Sequence, residues 1–119
     1  MNIEELRDYC LAKIDVTEGF PFGDDPLVFK VGGKMFALVN LSGDMRLSLK
    51  CDPERAVELR ERYSFVIPGY HLNKKSWNTI ELNSGISPDI LKEWIDHSYD
   101  LVFDSLPKKI KEKIKSGNG

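Results

Sequence analysis

The stretch that decides the fold is "LVFKVGGKMFALVNLSGDMRLSLK", residues 27–50. Two apolar segments, Leu27–Val31 and Lys34–Asn40, flank the pair Gly32-Gly33. A two-residue glycine loop supplies the positive φ angles that a tight β-hairpin needs. Ser42-Gly43-Asp44 predicts the next turn because it clusters turn-forming residues. The stretch therefore predicts consecutive antiparallel strands.

The segment that follows this turn shows the clearest strand pattern. In Met45–Lys50 every second residue is apolar, which predicts Met45, Leu47 and Leu49 facing the core and Arg46, Ser48 and Lys50 facing outward. Upstream, Gly19–Gly23 ("GFPFG") is compatible with a first edge strand, where Pro21 would be tolerated. The whole run predicts a meander of three or four strands.

Helical patterns lie on both sides of the strands. Ile3–Ile14 carries one apolar stripe and follows Asn2, a residue suited to cap the start of a helix. Asp52-Pro53 and Ser87-Pro88 each combine an N-cap residue with proline at the first helical position, which predicts two further helix starts. Phe65–Pro68 and Ser76–Leu82 are typical of a second pair of strands. The order α-β(3–4)-α-β(2)-α predicts an α+β two-layer sandwich, with an antiparallel sheet and its helices on one face.

Size and charge agree with one small domain. The chain has 119 residues, 41% of them hydrophobic and 30% charged, and a net charge of -2. We expect a single domain over residues 1–109 and a basic C-terminal tail over 110–119, partly disordered. Ile110 and Ile114, at i and i+4, allow a last short helix in this tail, and the disorder is expected at residues 116–119. Residues 1–25 carry seven acids against two bases, whereas residues 108–115 carry five lysines against one glutamate. The acidic N-terminus resembles no signal peptide, so we expect a cytoplasmic location and no membrane.

The motifs of common catalytic and metal sites are missing. After Gly32-Gly33-Lys34, Met35 stands where a phosphate-binding loop needs Ser or Thr, and a strand follows instead of a helix. There is no nucleophile elbow, and both cysteines are expected to be buried. The two histidines, His71 and His97, lack a second ligand at metal-binding spacing, and His97 is expected to be solvated. We therefore predict no catalytic residues, no metal and no cofactor.

The segment Pro68–Leu82, "PGYHLNKKSWNTIEL", concentrates aromatic and basic residues. Ile80 and Leu82 share the predicted core face of the strand, so Trp77 points the other way. Trp77 is then expected on the sheet face that no helix covers, or at its rim.

Two interpretations of this segment stay open. Tyr70, His71, Lys74 and Lys75 precede the strand, and an aromatic surface edged with lysine suits stacking on bases and neutralising phosphates. Alternatively, Trp77 closes a small cluster over the loop, Tyr70 bonds to backbone and Asn73 forms the turn.

Several motifs in chain order resemble the MmcQ/YjbR family. They are "FPFGDDPLVFKVGGKMFAL", "LSLKCDPERAVELRERY", "IPGYHLNKKSWNTIEL" and "WIDHSYDLVFDSLPKK", and together they extend over about residues 1–109. The resemblance implies a two-layer fold like that of bacterial frataxin (CyaY-like) and of secretion chaperones.

The resemblance also implies DNA binding through β-hairpins and gives no catalytic residues. The family positions that match here form a candidate nucleic-acid-binding surface: Lys34, Lys50, Tyr70, His71, Asn73, Lys74, Lys75 and Trp77. Ser76 stands where many members have histidine.

We therefore expect a non-enzymatic protein that binds DNA weakly through the Gly32-Gly33 hairpin, the loop 69–77 and the lysine tail. The alternative is a module that binds a protein or a small ligand. A third possibility, an enzyme, would need Tyr70 or His71 beside a perturbed carboxylate.

Overall fold

The computed structural model describes residues 1–69 and 72–117 of the chain. In this part the helices are α1 (Ile3–Leu11), α2 (Pro53–Arg62), α3 (Pro88–Asp104) and α4 (Lys108–Gly117). The strands are β1 (Val16–Gly19), β2 (Leu27–Val31), β3 (Lys34–Asn40), β4 (Arg46–Lys50), β5 (Val66–Pro68) and β6 (Trp77–Glu81). A single 3-10 turn, Leu82–Ser84, follows β6.

All six strands join one antiparallel sheet in the order β1-β2-β3-β4-β6-β5. The predicted meander and the later pair of strands are both confirmed, and β6 connects them by pairing with β4 as well as β5. A bulge interrupts the β2–β3 register at Phe29/Lys30, so that Phe36 has no partner across the ladder. Phe36 is fully buried, and its ring meets that of Tyr99 edge-on at 5.5 Å.

The helices pack on one face of the sheet, as the sequence predicted. One continuous core combines strand residues with buried residues from three helices, namely Leu6, Cys10, Leu91, Trp94, Ile95, Val102 and Ile114. A separate small cluster of Val28, Leu38 and Trp77 lies on the opposite face. The architecture is therefore a mixed α+β domain with one main core.

Polar contacts fix where helices begin and how α1 meets α3. Asn2 and Glu5 form the predicted capping box, with the Asn2 side chain accepting from the Glu5 amide at 2.8 Å. Asp96 on α3 accepts from the Tyr9 hydroxyl at 2.6 Å and from Lys13 Nζ at 2.5 Å. Burial and this carboxylate raise the pKa of Tyr9 to about 12. The N-terminal helix is thereby anchored to the helical layer.

Two predicted boundaries near the N-terminus are wrong. The first helix ends at Leu11, before the predicted Ile14. Asp15 then adopts a left-handed conformation (φ 60°), and its carboxylate accepts from the Gly32 amide at 3.2 Å. The first strand begins next to this contact, with Val16 opposite Val31, and ends at Gly19, where the predicted edge strand was to begin.

The alternation in β4 gives the correct faces but the wrong exposure for Ser48. Ser48 lies on the face opposite the helices, yet it is 2% exposed. Its hydroxyl is 2.8 Å from that of Thr79 on β6. A cross-strand hydroxyl pair satisfies both groups, which allows this part of the open face to be buried without a hydrophobic side chain.

The lysine-rich C-terminal segment forms a helix docked on the domain, in the part of the predicted tail that the structure describes. Helix α4 runs through the segment rich in lysine, and Ile114 is 6% exposed within the main core. Ile110 lies one turn earlier and is 37% exposed. The two isoleucines, at i and i+4, give the lysine-rich helix one apolar face.

This docking predicts unequal effects of two substitutions in α4. Ile114→Ala removes a buried side chain and is expected to lower the free energy of unfolding by about 2 kcal/mol or more. Ile110→Ala, the matched control, is expected to cost less than about 1 kcal/mol because its side chain is already partly in water. Urea unfolding measures both values, and equal effects would show that α4 is not docked.

The Gly32-Gly33 turn allows a second matched pair. Both glycines have positive φ (57° and 82°), so alanine at either should cost about 1–2 kcal/mol. A Cβ at Gly32 would also lie 2.6 Å from Leu106 Cδ1, whereas a Cβ at Gly33 would have open space. Gly32→Ala should therefore cost about 1–3 kcal/mol more than Gly33→Ala in urea unfolding, and a smaller loss for Gly32→Ala would contradict this contact.

Candidate functional site

The strand register brings the two predicted binding segments to the same end of the sheet. Val31 pairs with Lys34 beside the Gly32-Gly33 turn, and Lys50 pairs with Trp77 where the 68–77 segment ends. Since β3 and β6 are separated by β4 alone, these segments are about 10 Å apart across the sheet. We call this region the basic end and define it by Lys34, Lys50, Arg60, Lys74 and Lys75.

The segment between β5 and β6 is held by backbone contacts. The Gly69 amide donates to Trp77 O at 2.8 Å, and the Cys51 amide donates to Ser76 O at 2.8 Å. A Cβ at Gly69 would lie 2.7 Å from Trp77 Cβ, so glycine permits this close approach. Asn73 forms the predicted turn, its side-chain oxygen accepting from the Lys75 amide at 2.9 Å. Two other predicted site residues, Tyr70 and His71, lie outside the described residues.

Trp77 is on the predicted face of the sheet but is not an exposed platform. It is 6% exposed and packs with Val28, Leu38 and Leu72 in the small cluster of the open face. Lys50 Nζ lies 5.9 Å from the centre of its ring. In this arrangement the indole supports the loop and the position of Lys50, and its ring is closed to stacking bases.

Arg60 on α2 determines where Lys74 lies. Its guanidinium donates to the Lys74 carbonyl oxygen at 2.7 Å and reaches Asn78 Oδ1 at 3.4 Å. Asn78 is 2% exposed, and its amide nitrogen donates to the Ala56 carbonyl at 3.2 Å. The network joins α2, the loop and β6, so the loop lysines stand on a supported backbone.

Sequence reasoning missed Arg60, although a signal was present. Pro53, Val57 and Arg60 follow i, i+4, i+7 and so share one face of α2. Their face of the helix turns toward Pro68 and the loop, and the intervening groove has a volume of about 390 Å³.

The lysines of the basic end are available to a partner. Lys34, Lys74 and Lys75 are exposed and Lys50 is half-buried. Across residues 1–69 and 72–117, none of these four forms a salt bridge. The α3–α4 corner lies beside the Gly32 turn, which brings the start of lysine-rich α4 to the same end.

The junction of β4 and α2 forms a second polar cluster. Asp52 caps α2 through the Arg55 amide at 3.2 Å, and Arg55 pairs with Glu93 on α3 at 3.2 Å. His97 Nε2 accepts from the Asp52 amide at 3.3 Å and is half-buried, so the prediction that it is solvated was wrong. The error arises because the β4–α2 connection passes over this turn of α3.

Two cavities of very different size border this junction. The one beside His97 is only about 10 Å³, close to the smallest that holds one water molecule, whereas an open cleft of about 660 Å³ is lined by Asp52, Arg55 and Glu93 among other residues. Burial raises the pKa of Cys51 to about 11 and that of Cys10 to about 12, so both thiols stay protonated near neutral pH. Within the described part of the chain, no three histidine, cysteine or acidic side chains are grouped as metal ligands.

Comparisons with known proteins agree with the sequence motifs. The model of the YjbR family matches residues 11–101. The chain belongs to the YjbR family. Escherichia coli O157:H7 has an uncharacterized protein, YbdF, that is 37% identical over 99 residues, which cover 82% of this chain and 81% of YbdF. The uncharacterized protein YjbR of Escherichia coli K12 is 33% identical over 92% of this chain and 93% of its own.

Solved structures of similar proteins share the fold. The crystal structure of Deinococcus radiodurans protein DR2400, a DUF419 domain, is 40% identical with a TM-score of 0.90, covering 96% of this chain and 88% of DR2400. A Pseudomonas syringae protein is 28% identical with a TM-score of 0.74, covering 86% and 99% of the two chains. None of the helices described for this family member is long and apolar enough to cross a bilayer.

The position of His97 predicts a pH-dependent stability. Burial, and next the Arg55 charge, lower the pKa of His97 below its usual 6.5, although Asp52 and Asp100 oppose this shift. Above about pH 6.5 the imidazole is neutral in both the folded and the unfolded protein, so His97 makes its full contribution to the free energy of unfolding. As the pH falls below about 6.5, His97 binds a proton in the unfolded chain before it does so in the folded protein. The free energy of unfolding therefore decreases until the pH reaches the pKa of His97 in the folded protein.

His97→Gln tests this effect because the amide oxygen can still accept from Asp52 but does not titrate. Urea unfolding at about pH 7.5 and about pH 5.5 should show a larger loss of stability for the wild type than for the variant. The same pH dependence in both proteins would contradict the assignment.

Proposed function

We propose that this YjbR-family protein is a non-enzymatic, cytoplasmic protein that binds duplex DNA through the phosphate contacts of its basic end. The observation that carries the proposal is the convergence of four lysines, Lys34, Lys50, Lys74 and Lys75, at one end of the sheet, none of them in a salt bridge within the part of the chain that the structure describes. They come from three separate segments: Lys34 from the β2–β3 hairpin, Lys50 from the end of β4, and Lys74 and Lys75 from the loop before β6. Lysines on two adjacent projections suit the two sides of a phosphate-lined groove.

The overall charge of -2 does not oppose such a surface, because charge is unevenly distributed. Three acids near the basic end already have a partner: Asp15 accepts from the Gly32 amide, Asp52 accepts from the Arg55 amide, and Glu93 pairs with the Arg55 guanidinium. At physiological ionic strength charges farther apart than about 8 Å are largely screened. A phosphate at the basic end therefore responds mainly to the local lysines.

Burial of Trp77 favours duplex over single-stranded DNA as the ligand. Proteins that bind single strands stack bases on exposed aromatic rings, whereas Trp77 is 6% exposed. What the basic end offers in its described residues is ammonium groups and loop backbone, which contact phosphates without reading sequence. We accordingly infer weak, salt-dependent binding with little sequence preference.

A titration of a duplex at several salt concentrations tests this function. Affinity should fall steeply with salt, because each phosphate contact contributes about 0.9 to the slope of log affinity against log salt. The double variant Lys74→Gln/Lys75→Gln should reduce that slope by about 2 units. Binding that is absent, or that does not change with salt, would reject the proposal.

A matched control separates the basic end from charge in general. Arg46→Gln/Lys92→Gln also removes two positive charges, but Arg46 is at the other end of β4 and Lys92 is on α3. This control should leave the salt slope within error of the wild type. An equal reduction in both double variants would show diffuse attraction instead of a site.

A further inference from the structure

Two phenylalanines stand exposed at the end of the sheet opposite the basic end. Phe20 is 49% exposed and Phe22 is 63% exposed. They lie in residues 20–25, which we call the phenylalanine loop. Strand pairing of Gly19 with Val28 places this loop where β1 ends and β2 begins. Exposed aromatic residues two positions apart in one loop are typical of interaction surfaces.

The phenylalanine loop is an ordered structure and carries negative charge. The Asp25 carboxylate accepts from Ser42 Oγ at 2.6 Å and from the Leu41 amide at 2.8 Å. These hydrogen bonds lower the pKa of Asp25, and the one from the Ser42 hydroxyl has the largest effect. Asp24 beside it is exposed. These hydrogen bonds fix the end of the loop at Asp25, and the loop carries two carboxylates within a few residues of the rings.

A groove with a positively charged rim lies at the other end of the molecule, beside α2. The α2 groove is lined by Pro53, Val57, Arg60, Pro68, Lys74 and Lys75. Its floor is apolar, formed by Pro53, Val57 and Pro68, and Val57 is 44% exposed. Its rim is cationic, and no acidic side chain belongs to its lining among the residues the structure describes. About 390 Å³ is within the usual range of ligand sites, roughly 300–1,000 Å³.

We propose that the phenylalanine loop of one copy docks in the α2 groove of a second copy. The loop supplies what the groove lacks: aromatic rings for the apolar floor and carboxylates for the Arg60, Lys74 and Lys75 rim. Desolvated contacts between rings and an apolar floor stabilise such interfaces, while the charges select the partner and its orientation.

The loop cannot reach the groove of its own chain. The two lie at opposite ends of strands that span about 17 Å, in a molecule 41 Å long. The contact therefore joins two different surfaces, head to tail. Such a contact produces open chains or closed rings in place of a simple symmetric dimer.

This head-to-tail contact gives a sharp test through complementation, using the full-length chain. Phe22→Ser disables the loop, and Val57→Glu disables the groove; both side chains are exposed, so folding should be kept. Sedimentation without nucleic acid should show the wild-type average mass rising with concentration and falling with salt. Each variant alone should remain a monomer, and an equal mixture should form a one-to-one dimer and nothing larger.

Each other outcome overturns the proposal. A wild type that stays monomeric at all concentrations excludes it, and so does a variant that assembles like the wild type. Two monomeric variants whose mixture forms no dimer would indicate a symmetric contact instead. Ile14→Ser, at a residue 56% exposed outside both surfaces, is the matched control and should assemble normally.

The result is independent of DNA binding. Val57→Glu leaves Lys74 and Lys75 in place, and sedimentation is measured with no duplex present. Loss of self-association therefore does not count against the proposed function, and loss of DNA binding does not count against the contact. If both hold, a duplex and a second copy compete for Lys74 and Lys75.

Discussion

The pairing of β4 with β6 is the constraint on which the rest of the structure depends. It joins residues about 30 apart in sequence, with Leu47 opposite Ile80 and Lys50 opposite Trp77. Without it the four-stranded meander and the later pair of strands would be separate sheets, and a sheet of two strands is only marginally stable in water. With it, six strands form one surface broad enough for the helices to cover. The same register brings the loop before β6 to the end of β4, where α2 begins.

From this register follows a division of the molecule into two ends with different chemistry. Turns and loops that carry lysine gather at one end, and the acidic aromatic loop is at the other. The helices contribute through specific anchors, such as Arg60 to the Lys74 carbonyl and Asp96 to Tyr9 and Lys13. Both proposed interactions use exposed residues on an already stable frame, as is usual for loops that carry function.

Local patterns in the sequence predicted most of the fold. Glycine pairs, cap-proline pairs and apolar periodicity are short-range signals, so the meander and the starts of α2 and α3 were predicted correctly. The errors at Ser48, His97 and the first strand share another cause, because each depends on a partner distant in the chain. The partner is Thr79 for Ser48, Asp52 for His97, and strand β2 for the first strand. At the basic end, the sequence identified the lysines but missed Arg60, and it predicted that the Trp77 ring would be more exposed to solvent than it is. Burial on the open face depends on neighbours that periodicity cannot identify.

The two buried cysteines can be used to measure local opening of this protein without an added label. Cys10 is fully buried in α1, and Cys51 is 5% exposed at the junction of β4 and α2. A thiol-specific reagent can reach either sulfur only when the surrounding packing opens. The labelling rate of each sulfur then measures how often its own region opens, one in the helical layer and one beside the basic end. The chain thus contains two native probes that compare the local stability of its regions without any added label.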